Sequence, residues 1–359
     1  MLSFGAALPT RINRGGPLSG KAEPASAGSL ATAAGQWDIV DTPSLGTNYN
    51  YLFGLTCVSA SDCWTVGYAN PAGPYVTMIE HYDGTSWSIV DSPNVASVSN
   101  YFVGVACVND NDCWVVGYTY NSSGNEQTLI EHYDGTAWSI VSSPNSSSLN
   151  SSYLQGVKCN SASDCWAVGF ATNNANGVQL IGQTLIEHYD GTAWSTVTSP
   201  SAVAQYSFLQ DVTCNSASDC WAVGVSSNGI VYRQTLIEHW DGSAWSIVTS
   251  PNTINEQNEL DGLTCYNATD CWAVGYSYTQ GVLGTPVQNY ETLIEHYDGT
   301  AWSIVPSPNN TDNVDGNFLW RVTCSTADDC WGRIRRNEQH RADAGRALER
   351  HGVVLVYKS

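Results

Sequence analysis

The sequence predicts an all-β fold: a β-propeller of four-stranded antiparallel blades, with five complete blades and a partial sixth, from a parent of six or seven blades. The first observation is a unit that recurs at intervals of 50 to 59 residues along the 359-residue chain. The second is that each unit contains four short segments rich in β-branched and aromatic residues, as strands are. A β-solenoid is the alternative, although its coils are usually shorter and need no hairpins.

The four strands of the first unit follow one another closely. We predict strand 1 over residues 51–57, strand 2 over 63–68, strand 3 over 76–82 and strand 4 over 85–90. Asp83-Gly84 joins the last two strands, and Asp-Gly suits a two-residue type I′ turn because that turn needs positive φ. Ser92-Pro93 then ends strand 4, since proline lacks an N–H donor. The Glu-His segment of strand 3 occurs at Glu80, Glu131, Glu187, Glu238 and Glu295.

Two partial units flank the five complete ones. Residues 37–40, Trp-Asp-Ile-Val, repeat the last segment of a unit, and Cys324 begins a sixth unit that departs from the pattern after Trp331. We expect strands 1 and 2 in the sixth blade, with residues 353–357 apolar enough to replace strand 3 and residues 37–40 closing the blade as an outer strand. If the sixth unit originally had its own strand 4, residues 37–40 belong to a further blade.

The chain divides into three parts of different composition. Residues 37–332 form the predicted propeller domain, and the stretch 37–331 contains 29 acidic side chains but only Lys158, Arg233 and Arg321 as basic ones. Residues 333–359 form a basic tail, which is either an appended partner-binding arm or the sixth repeat read in a shifted frame. Reading residues 342–355 one nucleotide late allows the peptide Gln-Thr-Leu-Val-Glu-His-Trp-Asn-Gly-Thr-Ala-Trp-Ser, a copy of strands 3 and 4. We expect residues 1–36 to be disordered or misassigned.

The cysteines form six Cys-x5-Cys pairs, one in each unit. They are Cys57 and Cys63, Cys107 and Cys113, Cys159 and Cys165, Cys214 and Cys220, Cys265 and Cys271, and Cys324 and Cys330. Each pair brackets the connection between strands 1 and 2, where cross-strand Cβ atoms come within reach of a disulfide. Buried thiols and zinc sites are alternatives, but zinc would need pairs from separate blades to meet. Six disulfides indicate an oxidising compartment, hence secretion or display at the cell surface.

Each complete unit also has a glycine on strand 2 and an aromatic pair on strands 3 and 4. The glycines are Gly67, Gly117, Gly169, Gly224 and Gly275, and the aromatic pair of the first unit is Tyr82 with Trp87. This arrangement resembles the kelch-like propellers of the galactose-oxidase type, in which a glycine ends strand 2 and a Tyr with a downstream Trp marks strands 3 and 4. The resemblance implies the fold over about 295 residues. It implies no oxidase activity, because the paired Gly-Gly is a single Gly here and no residue matches the copper ligands.

Composition and motifs exclude several functions. A formal charge of -20 argues against sequence-independent nucleic-acid binding and against docking on anionic membranes, since both need clustered Lys and Arg. No apolar run approaches the length of a membrane span. The chain has no P-loop, no dinucleotide-binding glycine motif, no Gly-x-Ser-x-Gly elbow and no His-Glu-x-x-His. We expect no cofactor, no metal and no catalytic residue, although Asp110, Asp112, Asp312 and Asp315 leave calcium as an alternative.

The repeated Glu-His pairs are predicted to be structural. Adjacent residues on a strand point to opposite faces, so a Glu and its His do not converge on one ligand. Their occurrence in every unit also fits a scaffold better than a site, because a site is asymmetric. We expect a Glu or His to hydrogen-bond strand 3 to a neighbour, and the repeated tryptophans to pack between blades.

Loop variation predicts where binding takes place. The connections between strands 1 and 2 and between strands 3 and 4 are nearly constant. Those on the opposite face, from strand 2 to strand 3 and from strand 4 to strand 1 of the next unit, vary in length and content. The variable 2–3 connections cover residues 69–75, 119–126, 171–182, 226–233 and 277–290. Variable loops on a rigid scaffold usually carry binding. The candidate ligand-binding residues within them are Tyr120, Tyr232, Tyr278 and Tyr290.

The sequence therefore predicts a secreted, monomeric, non-catalytic propeller that binds a glycan or an extracellular protein through its variable face. One alternative is an extracellular carbohydrate-active enzyme with carboxylates near the central channel. The other is a frameshifted product without activity.

Overall fold

A computed structural model describes most of the repeat region and a short part of the tail. The described residues are 40, 42–46, 49–175, 178–200, 206–227, 233–254, 256–279, 288–309, 316–327, 329–335 and 353–358. All regular structure within them is β-strand, as the sequence predicted. The predictions for residues 1–36 and for residues 336–352 of the tail concern parts of the chain outside this set.

The strands fall into six consecutive sheets, which we number as blades 1 to 6. Blade 1 comprises β1 (Asn50–Ser59), β2 (Asp62–Ala69), β3 (Val76–Tyr82) and β4 (Trp87–Val90), and blade 2 comprises β5 (Asn100–Asn109), β6 (Asp112–Tyr120), β7 (Glu126–Tyr133) and β8 (Trp138–Val141). Blade 3 comprises β9 (Ser151–Ser161), β10 (Asp164–Ala175), β11 (Val178–Tyr189) and β12 (Trp194–Val197), and blade 4 comprises β13 (Tyr206–Ser216), β14 (Asp219–Ser227), β15 (Arg233–Trp240) and β16 (Trp245–Val248). Blade 5 comprises β17 (Gln257–Asn267), β18 (Asp270–Thr279), β19 (Gln288–Tyr297) and β20 (Trp302–Ile304), and blade 6 comprises β21 (Phe318–Thr326), β22 (Asp329–Arg335) and β23 (Val353–Lys358).

The blades have the arrangement of a β-propeller. In each of the first five, four strands pair antiparallel in sequence order. The first strands of successive blades adjoin one another, whereas each fourth strand packs on the third strand of its own blade. The first strands are therefore innermost, and the fourth strands lie at the periphery. The architecture confirms the predicted fold, with five complete blades and a partial sixth.

Blade 6 is completed to three strands by the tail. Strand β23 pairs antiparallel with β22, and Tyr357 faces Cys330 in that register. Tyr297 faces Cys271 in the same way in blade 5. Residues 353–357 thus occupy the place of strand 3, as their apolar sequence predicted.

The hairpin between strands 1 and 2 is closed by a disulfide in all six blades. All twelve cysteines are paired, each with the partner six residues away. In blade 1, Cys57 faces Cys63 across the ladder, with the Cα atoms 4.0 Å apart. The strands run past the cysteines to Ser59 and Asp62, so the turn is shorter than the predicted five-residue connection.

The predicted type I′ turn between strands 3 and 4 is wrong. Tyr82 pairs with Trp87, so four residues separate the strands instead of two. The Asp83 carboxylate accepts backbone hydrogen bonds from Thr85 (2.8 Å) and Ser86 (2.9 Å). Only Gly84 of this turn has positive φ, at 91°. The aspartate side chain thus organises a longer connection than a backbone-only turn would allow.

The variable connections contain more strand than predicted. Residues 171–182 were predicted as a loop, yet β10 and β11 continue to pair through most of this stretch, with Thr172 facing Gly182. Similarly, Tyr120 is the last residue of β6 and faces Glu126. Antiparallel pairing of strands 2 and 3 therefore continues past the part of the unit that repeats in sequence.

The core consists of separate layers between neighbouring blades. The strand 4 tryptophan of one blade packs edge-on against the strand 2 tryptophan of the preceding blade, as in Trp138 on Trp64 with ring centroids 5.5 Å apart. The same contact joins Trp194 to Trp114 at 5.4 Å. Valine, isoleucine and leucine side chains of both blades surround each contact. The repeated tryptophans therefore pack between blades, as predicted.

The repeated glycine lies inside strand 2 and does not end it. Gly67, for example, precedes the last residue of β2 by two positions. A Cβ atom at this position would overlap the carbonyl oxygen of Tyr51 on the paired strand. Close approach of the two backbones therefore requires glycine here.

Candidate functional site

A functional site is expected where the repeat loses its symmetry, and the innermost strands show where that happens. When strand 1 of each blade is aligned on the first cysteine of its disulfide, the residue six positions before that cysteine is aromatic in five blades and Glu259 in blade 5. The aromatic residues are Tyr51, Tyr101, Tyr153, Phe208 and Phe318. The residue three positions before the same cysteine is glycine in four blades, but Asp211 in blade 4 and Arg321 in blade 6. The glycines are Gly54, Gly104, Gly156 and Gly262. Polar departures from apolar or glycine positions thus concentrate in blades 4 to 6.

Two of these departures form an ion pair that crosses blade 5. Arg321 Nη1 lies 3.1 Å from Asp211 Oδ2 and also donates to the carbonyl oxygen of Asp261 at 2.9 Å. Asp211 accepts further hydrogen bonds from the backbone N–H groups of Val212 and Leu263, both at 3.0 Å. The intervening position is Gly262, where an added Cβ would lie 2.7 Å from the Arg321 Cα. Because Gly262 of blade 5 has no side chain, Arg321 of blade 6 can pass it and contact Asp211 of blade 4.

The second ion pair lies beside the first. Arg233 Nη1 is 2.9 Å from Glu259 Oε2, and the Tyr276 hydroxyl donates to the same oxygen at 3.0 Å. Gln210 Nε2 donates to the other carboxylate oxygen at 3.4 Å. The Glu259 side chain is only 9% exposed, whereas the Arg233 side chain is 47% exposed. The guanidinium thus faces solvent while its carboxylate partner is held inside.

Asp261 is the unusual carboxyl of this group. Burial and the neighbouring negative charge of Glu259 raise the pKa of Asp261 well above its usual range, although Arg321 opposes this effect. Its Oδ2 atom is buried and has no hydrogen-bond partner within the described residues. Burial also lowers the pKa of Lys158, with Asp211 acting in the opposite direction. All three basic residues of the stretch 37–331 therefore lie at or near one cluster of carboxylates.

Two of the four predicted tyrosines come together next to this cluster. Tyr278 and Tyr290 face each other across β18 and β19, with ring centroids 4.9 Å apart. Tyr276 lies 6.0 Å from Tyr278, and Phe318 lies 4.5 Å from Tyr290. Both predicted residues are half-buried and lie on strands rather than in loops. We call Tyr276, Tyr278, Tyr290, Arg233 and Glu259 the blade 5 patch.

The other two predicted tyrosines do not join the blade 5 patch. Tyr120 packs near Tyr101 and Tyr118 in blade 2, at centroid distances of 6.2 and 6.3 Å. Tyr232 lies outside the described residues. The four tyrosines therefore do not form one surface in the described structure.

The repeated histidines have the predicted structural role. His81 Nε2 lies 2.8 Å from Asp62 Oδ1 on the adjacent strand, and its ring stacks on Trp64 at 4.2 Å. The same histidine–aspartate contact occurs in blades 2 to 5. No group of three or more His, Cys, Asp and Glu side chains within the described residues is arranged to hold a metal ion.

The sequence prediction missed Asp211, Glu259, Asp261 and Arg321. The signal that identifies Asp211, Glu259 and Arg321 is the alignment of strand 1 across the six units, in which each replaces a residue type shared by most other units. Asp261 has no such signal, because the residue at its position varies among the blades. A prediction based on the repeated pattern identifies the residues that the units share, and these residues differ between the units. All four residues lie on the first strands of blades 4 to 6.

Comparison with solved structures finds similar chains, and those with TM-scores of 0.50 or above support the fold. The protein YjhT is 10% identical with a TM-score of 0.52, covering 87% of this chain and 100% of that one. A PL25 polysaccharide lyase, an ulvan lyase, is 9% identical with a TM-score of 0.50, covering 78% and 75%. YCF48 in complex with a D1 peptide is 13% identical with a TM-score of 0.42, covering 83% and 93%. No family profile and no curated protein matches the sequence. The described part of the chain has no helix long and apolar enough to cross a membrane.

Proposed function

We propose that this protein is a secreted, non-catalytic β-propeller that binds a glycan on its variable face, with the ligand seated on the blade 5 patch. The observation that carries the proposal is the tyrosine pair, Tyr278 and Tyr290, next to the exposed guanidinium of Arg233. Arg233 begins β15, and the two tyrosines lie where β18 and β19 approach their connection, so all three face the variable side.

The chemistry of the blade 5 patch suits a sugar. A pyranose ring has an apolar C–H face and a rim of hydroxyl groups, so it needs an aromatic surface with a few fixed polar groups. The tyrosines supply the surface, while the exposed guanidinium of Arg233 donates hydrogen bonds and the inner carboxylate of Glu259 holds that guanidinium in place. Glu259 is already oriented by Tyr276 and Gln210 at 3.0 and 3.4 Å, which limits the ordering that binding requires.

The extracellular location is part of the same proposal. Six disulfides within one chain are typical of proteins that fold in an oxidising compartment. We further propose that the protein is monomeric. We also propose that it is kelch-like, which the positions of Tyr82 on β3 and Trp87 on β4 support. The shifted reading frame of the tail remains a proposal that the nucleotide sequence tests directly.

A carbohydrate-active enzyme is the second candidate. The observation that favours it is Asp261, a buried carboxyl whose raised pKa leaves it protonated at higher pH, close to the carboxylates of Glu259 and Asp211. A protonated and an ionised carboxyl side by side can act as acid and base on a glycosidic linkage.

A polysaccharide screen separates these functions. We expect binding without release of product, and we expect Tyr278→Ala or Tyr290→Ala to weaken it at least about tenfold, as loss of an aromatic anchor does. Tyr266→Ala is the matched control, because Tyr266 is 47% exposed at the opposite, 1–2 end of blade 5. Product release that Asp261→Asn abolishes supports the enzyme instead. Binding to proteins alone, or equal losses in the tyrosine variants and the control, contradicts the proposal.

A further inference from the structure

A continuous row of aromatic rings runs through blades 1 to 3 along the innermost strands. In each of these blades, an aromatic residue near the start of strand 1 faces an aromatic residue in the second half of strand 2. The centroids of successive rings lie 4.6 to 5.3 Å apart, both within a blade and from one blade to the next. We call this row the aromatic arc, and its members are Tyr51, Tyr68, Tyr101, Tyr118, Tyr153 and Phe170.

The aromatic arc differs from the core between blades in its exposure. Trp64 and Trp114 lie four residues before Tyr68 and Tyr118 on the same strands, and both tryptophans are 2% exposed. All six residues of the arc, in contrast, are only half-buried. Strand 1 begins and strand 2 ends at the variable face, so the arc lies at that face and solvent reaches it. A contiguous apolar patch of this kind usually marks a binding surface.

The aromatic arc leads toward the blade 5 patch. Phe208 of blade 4 continues the row, with its ring centroid 4.4 Å from that of Phe170. In blade 5, Glu259 holds the position equivalent to Phe208 and faces Tyr276 across β17 and β18. The two surfaces therefore occupy the same level of the variable face in successive blades.

The charges near the aromatic arc favour an uncharged ligand. Tyr120 and Glu126 face each other at the end of the hairpin that carries Tyr118, and the Glu126 carboxylate accepts a hydrogen bond from the Ser151 hydroxyl at 2.6 Å. The stretch 37–331 has 29 acidic residues and three basic ones, and the basic ones lie at or near the carboxylate cluster of blades 4 to 6. An acidic polymer is therefore repelled, whereas the hydroxyl groups of a neutral sugar can donate to the fixed carboxylate.

We propose that the ligand is a linear, uncharged polysaccharide, with one part of its chain at the blade 5 patch and the following sugar residues along the aromatic arc. This inference rests on the glycan-binding function proposed above, and it adds the class of glycan and a second binding surface. Consecutive pyranose rings each have an apolar face that packs on an aromatic ring, and the tyrosine hydroxyls form hydrogen bonds with the sugar hydroxyls. A chain that reaches both surfaces binds more tightly than a short one, because the second contact is made within the same complex.

Chain length tests the proposal. The probes are cello-, xylo-, manno- and N-acetylated chito-oligosaccharides of two and of six sugar residues, and calorimetry measures their dissociation constants with the full chain. We expect the hexamer of at least one series to bind at least about tenfold more tightly than its dimer. Equal affinities of dimer and hexamer in every series that binds overturn the proposal. This comparison uses the wild-type protein and does not depend on the folding of any variant.

Variants separate the two surfaces. Tyr101→Leu and Tyr153→Leu keep an apolar side chain in the aromatic arc but remove the ring and the hydroxyl. We expect each to lower the ratio of hexamer to dimer affinity at least about threefold, whereas Tyr290→Ala should weaken the binding of both probes. Tyr266→Leu is the matched control, because Tyr266 is 47% exposed at the opposite end of blade 5, and it should leave both affinities unchanged.

The proposed function and this inference fail in different ways. If Tyr290→Ala abolishes binding while Tyr101→Leu and Tyr153→Leu leave hexamer binding at the wild-type level, the glycan remains at the blade 5 patch and the role of the aromatic arc is overturned. Tighter binding of hexagalacturonate than of all four neutral series keeps a glycan ligand and overturns its uncharged nature. Failure of every oligosaccharide to bind overturns both.

Discussion

Neighbouring residues on strand 3 perform different tasks because the strand alternates between two environments. In blade 2 the Glu131 side chain is buried between blades and accepts from Ser92, whereas the half-exposed His132 bonds to Asp112 within its own blade. Burial raises the pKa of Glu131 to about 8, although the Ser92 hydrogen bond lowers it. The sequence predicted the opposed directions and a structural role, but it did not identify serine as the partner, because the pairing joins residues 39 positions apart.

The raised pKa makes stability depend on pH in a defined direction. Since the Glu131 carboxyl has a pKa of about 8 when folded against about 4.5 otherwise, its contribution to stability is complete below pH 4.5 and is lost as the pH rises through 8. Glu131→Gln imitates the protonated form. We expect this variant to unfold like wild type at about pH 5 but to be more stable by at least about 1 kcal/mol at about pH 9.

Urea unfolding at these two pH values measures the effect. Glu291→Gln is the matched control, because it makes the same substitution at an exposed position on strand 3 of blade 5. A Glu131→Gln variant that is equally stabilising or destabilising at both pH values would show that the carboxyl stays ionised in the folded protein. The stability of the Glu131→Gln variant should still decrease as the pH rises, because the pKa values of the equivalent glutamates in the other blades are also raised, to about 7 or 8.

The hairpin of strands 1 and 2 is the element most completely predicted from sequence. A fixed spacing of six residues between cysteines requires two strands and a tight turn, so local covalent chemistry determines the geometry. The connection of strands 3 and 4 was less predictable, because the Asp134 carboxylate of blade 2, like that of Asp83, competes with the backbone for the turn hydrogen bonds. The inner charged cluster was missed, because its partners belong to three different blades and no local pattern joins them.

Removal of one hairpin disulfide should have a moderate, local cost. Closing a ring of about seven residues stabilises a protein by about 2 kcal/mol in the loop-entropy description. We expect the double variant Cys159→Ala with Cys165→Ala to lose about that amount in urea unfolding while the other five bridges remain. Mass spectrometry before and after reduction, with alkylation, counts the bridges. An unchanged free energy of unfolding would mean that the packing of β9 and β10, and not the bridge, restrains this hairpin.

At the scale of the whole molecule, the strands of each blade contact the next blade along the chain, but the charged cluster links blades that are not neighbours. Arg321 of blade 6 reaches Asp211 of blade 4 across Gly262 of blade 5, and its exposed fraction of 34% leaves it in contact with water. Asp211 is 16% exposed and its carboxylate is held by two backbone N–H groups. The other contacts between blades recur at each blade boundary and do not distinguish one blade from another. The ion pair of Asp211 with Arg321 is specific to blades 4 to 6 and fixes their relative positions.

The ion pair between Asp211 and Arg321 should therefore contribute a coupling energy to the free energy of unfolding, in addition to what each side chain contributes separately. We expect Asp211→Asn to cost about 1–2 kcal/mol, less than a fully buried pair because Arg321 is partly solvated. In a cycle with Arg321→Gln, the coupling should be about 1 kcal/mol and should persist at 0.5 M salt, since Asp211 is shielded from water. Arg233→Gln with Glu259→Gln provides the comparison, and its coupling should fall more with salt because Arg233 is 47% exposed. Coupling for Asp211 and Arg321 that disappears in salt would place this pair in solvent and remove the argument that it joins blades 4 and 6.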